Sequence, residues 1–184
     1  MRNDFRIKRL VLNSIFLALV IALHTMSIIF KVGIFELQLS LVPIVIGAIL
    51  LGPKTGATLG LASALFIMLS GGANLFLAWN PFATWLIVLT KGILSGLIPG
   101  LIKILLVKFE KINIFIASFS APVVNTSIFA LGCIIFFLSD IGGLNTLLTV
   151  YIGANFFIEV LIITILSPAI YRICIMGFKN LNIE

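Results

Sequence analysis

Residues 39–69 read LSLVPIVIGAILLGPKTGATLGLASALFIML, and how this stretch divides decides the fold. Its first part, 39–51, is apolar but falls short of the roughly 20 residues that a transmembrane helix needs at about 1.5 Å rise per residue. Gly52-Pro53-Lys54 breaks it, because a proline ring disrupts the hydrogen-bond ladder of a helix that runs through it. The second part, 55–69, is rich in small residues. The stretch is thus a re-entrant pair or two short spans within a thin, packed bundle. Two spans put Lys54 on the side of the N-terminus, and we adopt that division.

Outward from this stretch the apolar runs lengthen. Residues 10–30 make a full-length first span. The basic segment from Arg2 to Arg9 before it resembles a signal peptide, but the run outlasts a typical signal core and no small-residue cleavage site follows, so the span is expected to be retained. Residues 31–38 form a short polar loop with Glu36. Residues 70–80, with Gly71-Gly72, Asn74 and Trp79, form the most polar loop, and Pro81 opens the next helix, where its missing N–H costs nothing. Spans over 81–107, 113–138 (with a kink expected at Pro122) and 147–173 complete the chain. The charged turn Lys108-Phe109-Glu110-Lys111 and a Gly142-Gly143 turn beside Asp140 separate them. The expected fold is all-α, a single domain over 1–184 forming a bundle of six transmembrane helices, with five as the competing count.

Composition supports this reading. Of 184 residues, 61% are hydrophobic and 10% charged, against roughly 45–50% and about 25% in soluble domains. The net charge of +6 does not point to nucleic acid, since no basic stripe with interleaved aromatics occurs. Arg2, Arg6, Lys8, Arg9, Lys54, Lys103, Lys108, Lys111, Arg172 and Lys179 fall on the N-terminal side of the expected topology, Lys31 alone on the other, and Lys91 inside a span. By the positive-inside rule both termini are cytoplasmic. Cys133 and Cys174 read as small hydrophobes, and one His with two scattered Cys does not make a metal site.

Chemistry-bearing motifs are few. Gly52-Pro53-Lys54-Thr55-Gly56 lacks the spacing of a phosphate-cradling loop and reads as a hairpin turn. No paired intramembrane acids and no nucleophile motif indicate an enzyme. His24 reads as a satisfied or interfacial histidine. The polar residues inside spans say more. Lys91 lies about ten residues into the fourth helix, where an unpaired charge costs roughly 2.5–3.5 kcal/mol on insertion scales. Glu159 lies about as deep in the sixth. Either the two neutralise each other or Lys91 snorkels, or one or both face a polar ligand cavity. Asn125, Thr126 and Asn155 add hydrogen-bonding capacity, Asn155 sharing a helical face with Glu159. Hydrogen bonding between helices is their ordinary role; clustering on three helices favours a site, with Trp79 and Asn80 as a lid. On the first helix Ala18 and Ala22, extended by Ser14, form a small-residue face for internal packing or for a partner helix.

In its size, its six spans and these short motifs the chain resembles the substrate-binding S components of energy-coupling factor vitamin transporters. The resemblance rests on Ala18-x-x-x-Ala22, the run from Val42-Pro43 to Thr55-Gly56, Asn80-Pro81, Asn125-Thr126, and Asn155…Glu159…Pro168. It covers nearly the whole chain and implies a prokaryotic plasma-membrane protein that binds a vitamin from outside. Ala18 and Ala22 would dock it on a transmembrane coupling protein joined to two ATPases. ATP is then used by those partners, and this chain holds no cofactor. Within the family the pattern is most similar to the pantothenate, folate and riboflavin subgroup. Lys91 stands where the resemblance places a basic residue, often arginine; a fixed cation suits a carboxylate, which favours pantothenate or a folate over riboflavin. Lysine lacks the bidentate fork of arginine, so ligand geometry does not carry over directly. A self-contained transporter or channel with Lys91 and Glu159 in its ion path is the second expectation, though no inverted repeat is visible. An assembly subunit is a further alternative.

Overall fold

The computed structural model describes residues 2–29, 31–32 and 35–180, with side chains over 7–29, 37–109, 112–153 and 155–175. The side chains of Arg2, Arg6, Lys31, Glu36, Lys111 and Lys179, and residues 181–184 of the polar tail, lie outside the described set. In chain order the elements are α1 (Arg2–Ile29), a two-residue antiparallel ladder of β1 (Lys31–Val32) and β2 (Phe35–Glu36), α2 (Leu41–Leu51), α3 (Pro53–Ser70), α4 (Asn74–Trp79), α5 (Pro81–Leu105), α6 (Glu110–Phe136), α7 (Leu138–Ile141), α8 (Leu144–Thr146), a π-helical turn (Leu147–Ile152) and α9 (Gly153–Asn180).

Among the described residues four helical segments are long and apolar enough to cross a membrane: Ile7–Ile29, Pro81–Leu105, Ile112–Phe136 and Asn155–Ile175. Their outward faces carry large apolar side chains, among them Leu10, Phe82, Leu105, Ile135 and Phe157. The two short helices differ in kind. α2 has 11 residues, about 16 Å of helix, and every residue from Leu41 to Ile49 is buried. A helix apolar all round belongs in an interior. It packs against α1, α3, α5, α6 and α9, so the segment expected to be a short span is the axis of the core. Leu41, Ile44, Val45 and Ile46 meet Phe16 and Val20 of α1, Leu59 of α3, Ala117 and Ala121 of α6 and Ile163 of α9 in one cluster.

Glycine on both helices brings α3 unusually close to α5. A Cβ added at Gly56 would meet the Gly96 carbonyl, one at Gly60 the Gly92 carbonyl, and one at Gly100 would lie 2.6 Å from Pro53 Cα. With no side chains between them, backbones approach to direct contact. The pairs Gly56–Gly96 and Gly60–Gly92 also fix an antiparallel register.

Direction alternates through the bundle. Arg9 donates to the Leu51 carbonyl, joining the start of α1 to the end of α2, while His24 near the end of α1 meets Ser40 at the start of α2. Lys103 in the last turn of α5 donates to the Tyr171 hydroxyl on α9 at 3.3 Å. Lys8, Arg9, Lys54, Lys103, Lys108 and Arg172 therefore collect at one end of the bundle, leaving Lys91 as the one described cation elsewhere.

The connections differ from expectation in three places. The 70–80 segment is not an open loop: Gly71, at φ +84°, ends α3 in the left-handed conformation that glycine favours, and α4 follows before Asn80. The last helix begins at Gly153 rather than 147, because Leu147–Ile152 adopts the wider π-helical winding. It runs to Asn180, past the expected end at 173. Pro81 opens α5 as expected.

Candidate functional site

Two adjoining cavities occupy the end of the bundle away from the basic residues. The larger, about 270 Å³, lies between α1, α5 and α6 under the α3–α4 turn, with Gly71 to Phe76 along its rim. The smaller, about 80 Å³, lies deeper, between α5, α6 and α9. Gln38, Lys91 and Phe129 line both, so these three side chains stand where one space gives way to the other.

The smaller cavity gathers Lys91 from α5, Asn125 and Thr126 from α6, and Asn155 and Glu159 from α9. The Gln38 backbone N–H donates to Glu159 Oε1 at 2.8 Å. Asn125 Nδ2 donates to Gln38 Oε1 at 3.0 Å. Gln38 thus ties α6 to α9 through the segment that leads into α2. A buried carboxylate that accepts a backbone N–H is better satisfied than a bare one, which gives Glu159 a structural role alongside its place in the wall.

Lys91 is held differently. Its ammonium lies 5.6 Å from the centroid of the Phe129 ring, a cation–π distance. Among the described residues no ion pair within 4.0 Å joins it to Glu159. The two groups make no direct ion pair but lie near enough to act on each other electrostatically, and both face the same cavity. Asn125 Oδ1 and Asn155 Oδ1 are buried without a hydrogen-bond partner, and each such acceptor costs about 1–3 kcal/mol unless a donor reaches it. A fixed cation beside two unpartnered acceptors suits a small polar molecule with an anionic group and N–H or O–H donors.

His24 is buried in the wall of the larger cavity. Its Nδ1 lies 3.4 Å from Ser40 Oγ, which lies 3.2 Å from Ser63 Oγ, and its ring meets Phe66 edge-on at 5.1 Å. Ser27 accepts from the Leu39 N–H at 3.2 Å and donates to the Leu23 carbonyl. These contacts hold α1 against the start of α2.

Trp79 and Asn80, the expected lid, line neither cavity. Asn80 caps α5, its Oδ1 accepting from the Ala83 N–H at 3.1 Å, the ordinary work of asparagine before Pro at a helix start. Trp79 packs edge-on against Phe76 at 5.4 Å and tilted against Phe137 at 6.0 Å. It braces the aromatic wall from behind, and the rim is supplied by the α3–α4 turn. Ala18 and Ala22 are exposed, on the side of α1 opposite its buried residues Phe16, Val20, His24 and Ser27. Their stripe is not an internal packing face of this chain.

Gln38 was missed from sequence, where it reads as the end of a loop; its one signal is a long amide beside the apolar start of α2. Phe129 is indistinguishable there from lipid-facing phenylalanines. Comparison of the chain with family models, with curated proteins and with solved structures finds no match.

Proposed function

We propose that this chain is the substrate-binding subunit of a membrane importer of the energy-coupling factor type, taking a small carboxylate-bearing vitamin such as pantothenate. The observation that carries the reading is convergence. Lys91, Asn125, Thr126, Asn155 and Glu159, spread over three helices, line one cavity, and the side-chain oxygens of Asn125 and Asn155 are buried without a partner. Lys91 would receive the carboxylate, and the amides would take hydroxyl or amide donors. The 270 Å³ space above would admit the rest of the ligand from the outer side.

In this reading all six principal helices lie in a prokaryotic plasma membrane, α2 and α3 as short inner spans, with the basic end cytoplasmic. Ala18 and Ala22, exposed on α1, would dock on a transmembrane coupling protein that carries two ATPases. Their outward placement supports docking over internal packing. This chain would bind and carry without catalysing a reaction. Mass spectrometry of small molecules released from the purified protein tests the proposal: a bound water-soluble vitamin is expected. Repeated recovery of folded protein with neither bound vitamin nor affinity for one would reject it.

A further inference from the structure

A third cavity, about 290 Å³, opens at the opposite, basic end of the bundle between α5, α6 and α9. It receives Lys103 from α5 and Tyr171 and Arg172 from α9, while Ile114, Phe115 and Ile175 give it apolar walls. We propose that this cleft binds the phosphodiester headgroup of an anionic phospholipid.

The polar side is built for an anion. Lys103 Nζ donates to Tyr171 Oη at 3.3 Å and lies 5.4 Å from that ring's centroid. Tyr171 is buried, so its contact holds the flexible lysine stem in place. A hydroxyl that accepts from an ammonium still has its own proton to donate, which can point to a phosphate oxygen beside the two cations. Among the described residues no Asp or Glu lines the cleft, and Lys103 and Arg172 give its wall two positive charges.

The apolar side selects a lipid over a free phosphate. Phe115 is 48% exposed and Ile175 39% exposed, so the cleft wall continues onto surface that would face acyl chains. Lys103 belongs to the last turn of α5, at the end of a membrane-length segment, which is the depth of headgroups. Basic pockets between helices at that level are the usual setting for anionic headgroup recognition. The cleft lies at the far end of the bundle from Lys91 and stands independently of the importer reading.

Native mass spectrometry of the full chain, exchanged into micelles containing phosphatidylglycerol or phosphatidylcholine, tests the site. One phosphatidylglycerol per chain should survive, at least roughly fivefold above phosphatidylcholine, and the Lys103→Gln/Arg172→Gln double variant should lose roughly thirtyfold, on the scale of one interfacial cation each. Arg172→Lys should retain most of the adduct, and millimolar glycerol phosphate should not displace it. Equal retention of the two lipids, or an undiminished adduct in the double variant, would overturn the proposal. Displacement by glycerol phosphate would make the site one for free phosphate and equally overturn it. If the double variant does not fold, the wild-type lipid comparison and Arg172→Gln alone decide.

Discussion

The two sides of α5 are packed in opposite ways. Toward α3, Gly92, Gly96 and Gly100 bring backbone against backbone, leaving no room for a single added carbon. Toward α6 and α9, Lys91 lines open space beside buried amide oxygens that lack partners. One side gives up side chains to gain contact; the other keeps costly polar groups and forgoes packing. The contrast teaches where this chain places its stability and where it places its chemistry. A polar cavity holds its shape only if the helix bearing its cation cannot shift, and the glycine seam supplies that anchor.

Breaking the seam should have the largest effect. Gly60→Leu or Gly92→Leu must push α3 and α5 apart, costing about 3 kcal/mol or more, seen as loss of folded protein or a large fall in Tm in detergent. Unchanged Tm would mean that the close approach does not anchor the bundle. On the other side, Lys91→Ala should weaken an anionic ligand roughly 10- to 100-fold, the scale of a lost charged hydrogen bond, and a neutral analogue far less. Calorimetry on both ligands separates this from a structural lysine, for which the two losses would be equal.

Much of this arrangement is legible in the residues themselves. Pro53 and Pro81 open α3 and α5 for local reasons: in the first turn of a helix the ring's missing N–H costs nothing. Lys91, Asn125, Asn155 and Glu159 stand out because each is expensive in an apolar span, and the structure brings them to one cavity. The seam was present as four-residue glycine spacing at 56, 60, 92, 96 and 100, yet small residues in a span carry no label saying which helix they meet. The buried role of α2 was hidden for a related reason, since an apolar 11-residue helix looks the same in lipid and in a protein core. The π-helical turn was not legible at all, because hydropathy does not record hydrogen-bond register.

Two smaller effects sharpen the contrast. Asn155→Leu removes a buried acceptor without a partner, so stability should hold or rise by up to about 1 kcal/mol while ligand affinity falls roughly tenfold. A clear drop in the Tm of ligand-free protein would show that Asn155 is already satisfied and belongs to the packed side. Ala18→Trp and Ala22→Trp alter an exposed face, and stability should stay within about 0.5 kcal/mol with ligand binding intact. Co-purification with the proposed coupling protein and ATPases should be lost; retention of such a complex would move the docking surface elsewhere.

The most direct test is calorimetric titration of the purified, folded chain with a panel of water-soluble vitamins, repeated on Lys91→Ala. The expected result is one high-affinity site per chain for a carboxylate-bearing vitamin, strongly weakened in the variant. Absence of binding across the panel, or equal affinity in both proteins, would contradict the assignment of the Lys91 cavity as the ligand site.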